Sequence, residues 1–165
     1  MFGKLFKKKE ENVADVSLAA PVNGELVALE DVPDPVFAQK MMGDGVAVDP
    51  ADGVIVSPVD GKVVQVFPTK HAVGILAANG AEILIHIGLE TVSLDGEGFT
   101  AHVGEGDKVK QGDKLIEFDM DIIREKAKST VTPVIITNTD DMSEIKVKEK
   151  QKVTAGQDEI IFVRK

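Results

Sequence analysis

The sequence contains no cysteine, no tyrosine and no tryptophan. The absence of cysteine excludes disulfide bonds, thiolate chemistry and metal sites built from cysteine. Histidine is the side chain whose ordinary pKa leaves much of it neutral and nucleophilic near pH 7. The candidates for chemistry are therefore the three histidines of the chain, His71, His86 and His102.

Long apolar runs are also missing. No run approaches the roughly 20 residues of a membrane-spanning helix, and residues 1–11 hold no apolar stretch long enough for a signal peptide. No glycine-rich phosphate loop is followed by Lys-Ser or Lys-Thr. We therefore expect a soluble cytoplasmic protein that requires no nucleotide.

Basic charge is in deficit, because the formal net charge is −9 at pH 7. A general nucleic-acid binder normally carries a basic face, so this charge argues against nucleic acid as a partner. It fits a partner protein whose contact surface is basic.

The residues that are abundant favour short strands. Valine and isoleucine dominate the apolar content, and 15 glycines and 7 prolines are spread along the chain. Turn signals such as Asn79-Gly80 separate eleven predicted strands: Val16–Ala20, Leu26–Glu30, Val46–Val48, Val54–Ser57, Lys62–Phe67, Ala72–Ala78, Glu82–Ile87, Phe99–Val103, Lys114–Phe118, Val134–Asn138 and Glu159–Arg164.

Two short helical segments are predicted besides the strands. Val36–Met42 follows Pro35, which suits a first helical turn, and Asp119 is placed to cap Asp121–Lys128. Pro21–Val27 is echoed by Pro58–Val64, which indicates a repeated strand–turn–strand unit. The prediction is an all-β fold, an antiparallel β-sandwich or barrel-like structure with this internal repeat.

The chain divides into a tail and one domain. Residues 1–15 are predicted to form a flexible, basic and amphipathic tail, and residues 16–165 a single domain. In the tail, Phe2, Leu5 and Phe6 share a helical face opposite lysines. Residues 1–9 could therefore make a weak contact with an anionic membrane surface, although a frayed and solvated terminus explains them as well.

His86 stands out by its place in a strand. Alternation puts Ile83, Ile85 and Ile87 on one face, so that Leu84 and His86 project together from the other. Gly88 follows two residues later, and its lack of a side chain leaves room for the approach of another molecule. This is the setting of a histidine that meets a partner protein.

His71 is expected near His86. A hairpin through Asn79-Gly80 brings it towards the level of His86, and the Thr69 hydroxyl can bond one of its ring nitrogens. Two adjacent imidazoles suit either phosphoryl transfer, with one attacking phosphorus and the other donating to the phosphoryl oxygens, or a metal site. His102 has no comparable setting and is interpreted as a surface residue.

Several segments carry a family resemblance. Leu84–Val92 resembles the phosphorylation-site signature of the glucose-type enzyme IIA of the phosphoenolpyruvate-dependent sugar phosphotransferase system. Four further segments resemble the same family and lie in the right order: Glu30–Phe37, Met42–Gly45, Gly96–Phe99 and Lys126–Pro133. The resemblance extends from about Ser17 to the C-terminus.

The resemblance implies a β-sandwich with a shallow active-site depression. His86 would be phosphorylated at Nε2, His71 would stabilise the transferring phosphoryl group, and Thr69 would orient His71. The partner-binding surface would be an apolar collar with two carboxylates, Asp34 and Glu90, at its edge. The collar residues are Val36, Phe37, Met41, Met42, Phe67, Leu84 and Val92. Family members often have Asp where this chain has Glu90.

The partners follow from the same resemblance. The donor would be the phosphocarrier HPr, and the acceptor would be the cysteine of the IIB domain of a sugar permease. Since this chain has no cysteine and no membrane span, it would be a stand-alone IIA, and the relay would require no metal and no other cofactor. The family also suggests that the unphosphorylated protein docks on regulated transporters or metabolic enzymes.

Two other classes of protein are alternatives to a phosphocarrier. A zinc-dependent hydrolase of related β architecture would use His71 and His86 with a third ligand such as Glu90. A biotinyl- or lipoyl-type carrier would display a lysine on a tight turn, and Lys40-Met41-Met42 superficially resembles that signature.

Overall fold

The structure is a computed structural model that describes residues 13–165. It confirms the all-β prediction, and every strand pair among these residues is antiparallel. The strands are β1 (Asp15–Ala19), β2 (Gly24–Ala28), β3 (Asp44–Pro50), β4 (Val54–Val56), β5 (Gly61–Val66), β6 (Ala72–Ala77), β7 (Glu82–His86), β8 (Phe99–Ala101), β9 (Lys108–Val109), β10 (Lys114–Phe118), β11 (Thr132–Ile136), β12 (Glu144–Val147), β13 (Lys152–Val153) and β14 (Glu159–Arg164).

The strands form three sheets. One has eight strands in the order β13-β2-β3-β11-β7-β6-β5-β9, and two have three strands, β1-β14-β12 and β4-β10-β8. None of these sheets closes on itself within the described residues, so the observed form is the sandwich and not the barrel. The sheets pack across a core of aliphatic side chains, as expected for strands rich in valine and isoleucine.

The eight-stranded sheet is buried on both faces near its centre. In β7, Ile83 and Ile85 enter the main core, whereas Leu84 enters a smaller second core on the opposite face, in agreement with the predicted alternation. The second core lies beneath the 29–38 segment. Its buried residues are Leu29, Val32, Phe37, Ala47, Ala72, Leu84, Leu89 and Ile135.

Two α-helices are present among the described residues, α1 (Pro35–Ala38) and α2 (Met120–Lys126). Asp119 caps helix α2 as predicted, its carboxylate accepting from the amide of Asp121 at 3.0 Å. The helix begins one residue before the predicted 121–128 segment and ends two residues earlier, because Ala127 is extended. Helix α1 is shorter than the predicted 36–42 segment. The reason is that Lys40 adopts a left-handed conformation, with φ of 58°, which the right-handed helix cannot continue through.

The echo in the sequence corresponds to an approximate twofold repeat. The strand order of the large sheet reads alike from both ends, with β13, β2, β3 and β11 matching β9, β5, β6 and β7. Each echo segment begins with a proline whose carbonyl accepts a hydrogen bond from the chain just before the other segment. The Ala19 amide donates to the Pro58 carbonyl, and the Val56 amide donates to the Pro21 carbonyl. The pseudo-symmetry axis passes between β7 and β11, the strand pair at the centre of the sheet.

The N-terminal region is described from residue 13 onward. Strand β1 begins at Asp15, and the Ala14 carbonyl accepts from the Lys165 amide at 2.9 Å. The membrane contact predicted for residues 1–9 lies outside the described residues. Within residues 13–165, no helix has the length and apolar character that crossing a membrane requires.

Candidate active site

The β6–β7 hairpin brings two histidines together. Its Asn79-Gly80 turn pairs the strands so that Ala72 lies opposite His86. The imidazole rings of His71 and His86 are 5.0 Å apart between centroids and nearly perpendicular, at 80°. The predicted proximity of these two residues is therefore observed.

His86 is half-buried, and its backbone neighbour fixes its tautomer. Its Nδ1 lies 2.8 Å from the carbonyl oxygen of Gly88. Because a carbonyl only accepts, Nδ1 carries the proton, and in the neutral ring Nε2 keeps its lone pair. Burial lowers the pKa of His86, while the Gly88 carbonyl and the Asp34 carboxylate partly oppose that shift. The neutral, nucleophilic ring is favoured at pH 7.

His71 is buried and hydrogen-bonded to Thr69. The Thr69 hydroxyl lies 2.5 Å from Nδ1 of His71. Burial first, and the proximity of His86 second, lower the pKa of His71 to about 4, so the ring is neutral at pH 7. With the hydroxyl donating to Nδ1, the ring proton resides on Nε2. The two histidines can thus hold opposite tautomers, one with a free lone pair and one with an N–H donor.

The backbone turns sharply beside each histidine. Lys70, which precedes His71, has φ of 59°, and Glu90, four residues after His86, has φ of 60°. Such left-handed conformations are uncommon for residues other than glycine and persist where the surrounding structure holds them. The site is therefore built on constrained backbone and not on a mobile loop.

Aromatic rings cover part of the histidine pair. The ring of Phe37 lies 5.0 Å from that of His86, and the ring of Phe67 lies 5.5 Å from that of His71. Phe37 and Leu84 are buried in the second core, at 6% and 7% exposure. Phe37 and Phe67 therefore shield the imidazoles from water. Leu84 is buried and does not project into solvent as its strand position suggested.

The other four predicted collar residues are exposed. Val36, Met41, Met42 and Val92 are 40%, 69%, 41% and 57% exposed. Met41 and Met42 line a cavity of about 380 Å³ together with residues of the 137–141 turn, and neither histidine lines it. Of the seven predicted collar residues, Phe37 and Phe67 therefore lie against the imidazole rings, Leu84 is buried, and these four are exposed.

The two predicted acidic residues differ in their roles. The Asp34 carboxylate accepts from the Val36 amide at 2.9 Å and so caps helix α1, which carries Phe37. Glu90 is exposed in the turn after His86. Asp34 therefore positions the helix over His86 as well as supplying negative charge near it.

The role of Gly88 differs from the one that the sequence suggested. It is buried and has φ of 72°, and a Cβ atom there would lie 2.7 Å from a Thr91 carbon and 2.8 Å from the Ser129 carbonyl oxygen. Its lack of a side chain therefore permits close internal packing and does not open a path for a partner. Sequence reasoning missed the roles of Thr91 and Ser129. Thr91 contacts Ile87 and Gly88 within the same turn, whereas Ser129 reaches this turn from about forty residues away.

The structure also bears on the other histidine and on the alternatives. His102 is exposed, as predicted, and contacts Glu117 at 2.8 Å. Within residues 13–165 no three His, Asp or Glu side chains are grouped to hold a metal ion, so the third ligand of a zinc hydrolase is not provided there. Lys40 is ion-paired with Glu30 at 3.3 Å instead of being displayed alone on a hairpin.

Fold and site together define an all-β protein that presents a neutral histidine with a free ring nitrogen beside a second, buried histidine. Residues 16–142 match the model of a family described as phosphoenolpyruvate-dependent sugar phosphotransferase system, EIIA 1. The chain belongs to this EIIA family and is of its glucose type. It is therefore a phosphotransferase component with a phosphocarrier role in sugar uptake.

Similar proteins support this assignment along the whole chain. A glucose-specific EIIA component of Oceanobacillus iheyensis is 59% identical over 163 residues, which cover 99% of both chains. One of Halalkalibacterium halodurans is 56% identical over 170 residues, covering 99% of this chain and 98% of its own. The solved glucose permease IIA of Mycoplasma capricolum is 39% identical, with a TM-score of 0.85, and the match covers 91% of this chain and 96% of that one.

Proposed function

We propose that His86 accepts a phosphoryl group at Nε2 from phosphorylated HPr and passes it to the cysteine of the IIB domain of a sugar permease. The observation that carries this proposal is the hydrogen bond from Nδ1 of His86 to the Gly88 carbonyl. It leaves Nε2 as the nitrogen with a lone pair, on a ring that burial keeps neutral.

Each transfer is a displacement at phosphorus. In the first, the Nε2 lone pair of His86 forms a bond to phosphorus while the bond from phosphorus to the donor histidine breaks. In the second, the IIB thiolate forms the new bond, and the bond to Nε2 breaks and returns its electron pair to His86. The proton stays bound to Nδ1 of His86 throughout and remains hydrogen-bonded to the Gly88 carbonyl.

His71 stabilises the phosphoryl group during transfer and forms no covalent bond to phosphorus. With the Thr69 hydroxyl donating to Nδ1, the Nε2–H of His71 donates to a phosphoryl oxygen as negative charge concentrates there. A neutral donor suits this task, because a protonated His71 beside His86 would hold the phosphoryl group too tightly for onward transfer. The lowered pKa of His71 keeps it neutral.

The surface around the pair would receive both partners in turn. Exposed apolar side chains near a reactive group mark a docking surface, and the exposed residues Val36, Met41, Met42 and Val92 would form it. Asp34 and Glu90 would attract partners that carry lysine and arginine. Phe37, Phe67 and Leu84 would act beneath this surface by excluding water, which prolongs the life of the phosphohistidine.

Further parts of the proposal concern the rest of the chain. Residues 15–165 act as one IIA domain in the cytoplasm, because β1 begins at Asp15 and not after it, and residues 1–9 act as a weak contact to anionic membrane. The unphosphorylated surface would also dock on regulated transporters or metabolic enzymes.

The test is a reconstituted relay with labelled phosphate, from HPr through this protein to a IIB domain. His71→Gln should accept the label on His86 but pass it to IIB much more slowly than the wild type, because the glutamine amide replaces the donor imperfectly. Transfer to IIB at the wild-type rate would contradict the role given to His71.

A further inference from the structure

The turn after His86 holds the Gly88 carbonyl from both sides. Gly88 C=O and Leu89 N–H belong to one peptide unit, and the Leu89 amide donates to the Ser129 carbonyl at 2.9 Å. In a trans peptide the two groups point in opposite directions. The bond to Ser129 therefore aims the Gly88 carbonyl away from Ser129 and towards Nδ1 of His86, 2.8 Å away.

The preceding peptide unit is anchored by a side chain. The Thr91 hydroxyl donates to the Ile87 carbonyl at 2.6 Å, and Thr91 is completely buried. The Thr91 methyl group also fills the space where Gly88 would carry its Cβ. Glycine on its own leaves φ and ψ free, so the orientation of its carbonyl depends on anchoring the peptide units on either side of it.

From these contacts we infer that Thr91 is a positioning residue for His86. Its hydroxyl locks the Ile87–Gly88 peptide, the Ser129 bridge locks the Gly88–Leu89 peptide, and together they keep the proton of His86 on Nδ1. Thr91 thus determines which ring nitrogen is free to accept phosphorus. This inference rests on the proposed function only for its effect on transfer; the effect on the tautomer stands independently.

The main variant is Thr91→Val, which keeps the shape and the methyl packing but removes the hydroxyl. Nitrogen-15 NMR of the labelled imidazoles should show His86 in the wild type with its proton on Nδ1 alone. In Thr91→Val the two tautomers of His86 should exchange, and the rate of phosphorylation by phospho-HPr should fall about tenfold, the size expected for one buried hydrogen bond. Thr91→Ser, which restores the hydroxyl, should retain the wild-type tautomer.

The matched control is Ser57→Ala. Ser57 is also completely buried, and its hydroxyl donates to the Val59 carbonyl at 2.7 Å in the turn before β5. That turn adjoins the end of β6 opposite to His71. Ser57→Ala should lower the melting temperature without changing the His86 tautomer or the phosphorylation rate.

The outcomes separate this inference from the proposed function. A wild-type tautomer and rate in Thr91→Val, with only a loss of stability like that of Ser57→Ala, would overturn the positioning role. A changed tautomer in Thr91→Ser would also overturn it, and this variant retains enough of the side chain to remain testable if Thr91→Val does not fold. If the wild type shows the fixed tautomer but accepts no phosphoryl group, the proposed function fails and the positioning of His86 stands.

Discussion

The backbone carbonyl of His71 accepts a hydrogen bond from the amide of Ile87, the residue after His86, at 2.7 Å. This bond extends the β6–β7 ladder by one step beyond the Ala72–His86 pair. The spacing of the two imidazoles is therefore set by the sheet itself. A site placed on paired strands is held more firmly than one on loops, which suits the phosphoryl transfer proposed for His86.

The Phe37 ring should control the hydration of His86. In Phe37→Leu, loss of part of the ring admits water, so the pKa of His86 should rise towards its ordinary value, because burial is the main cause that lowers it. Stability should fall by about 1 to 3 kcal/mol. NMR titration of His86 measures the pKa. Phe99→Leu, at an equally buried phenylalanine of the main core, is the control and should leave it unchanged. An unchanged pKa in Phe37→Leu would contradict the shielding role.

The Asp34 carboxylate should act on His86 through its charge. Because this charge raises the pKa of His86, Asp34→Asn should lower that pKa further. Asparagine caps a helix as well as aspartate does, so helix α1 should remain. The control is Asp119→Asn, which makes the same change at the cap of α2. Equal shifts in both variants, or no shift in Asp34→Asn, would show that proximity of Asp34 is not the cause.

The buried His71 should make stability depend on pH. Its pKa is about 4 in the folded protein and 6.5 ordinarily, so between these values the unfolded chain binds more protons. Its contribution to stability is complete above pH 6.5 and is lost as the pH falls towards about 4. Urea unfolding across this range should show a shallower pH dependence for His71→Gln than for the wild type. Parallel curves for the two proteins would contradict the burial of a neutral His71.

Gly88 should be intolerant of a side chain. Gly88→Ala combines a left-handed φ with contacts of 2.7 and 2.8 Å to Thr91 and Ser129. Gly80→Ala has a similarly positive φ, 90°, but nothing within 4 Å of the added carbon. Thermal unfolding should therefore show a larger loss of stability for Gly88→Ala. Gly80→Ala should lower the free energy of unfolding by about 1 kcal/mol, from backbone strain alone. Equal losses of stability in the two variants would mean that the 87–91 turn rearranges to accommodate the added methyl group.

Local patterns in the sequence predicted much of the fold. Turn dipeptides and period-2 alternation located eleven of the strands and put His86 opposite the isoleucines of β7. Strands β9 and β13 have two residues each, too few to show any alternation. Strand β12 was missed although its Glu-Ile-Lys-Val sequence alternates, because it has only four residues, of which two are charged and none is buried.

The parts of the site that the sequence did not predict depend on distant packing. Leu84 occupies the expected face of β7, but the 29–38 segment folds over that face and buries it. The alternation of residues within β7 does not show that the 29–38 segment covers this face. In the same way, Gly88 suggested open space beside His86, whereas the Thr91 methyl group and the Ser129 carbonyl fill the space where a side chain at position 88 would lie. Only the three-dimensional contacts distinguish these two uses of a glycine.

The most direct test of the central claim is the intact mass of the protein after incubation with phosphoenolpyruvate, enzyme I and HPr. The wild type should gain the mass of one acid-labile phosphoryl group, and His102→Ala should gain it equally, because His102 is exposed and contacts Glu117 instead of the site. His86→Ala should gain none. A phosphoryl group retained on His86→Ala would contradict the assignment of His86 as the acceptor.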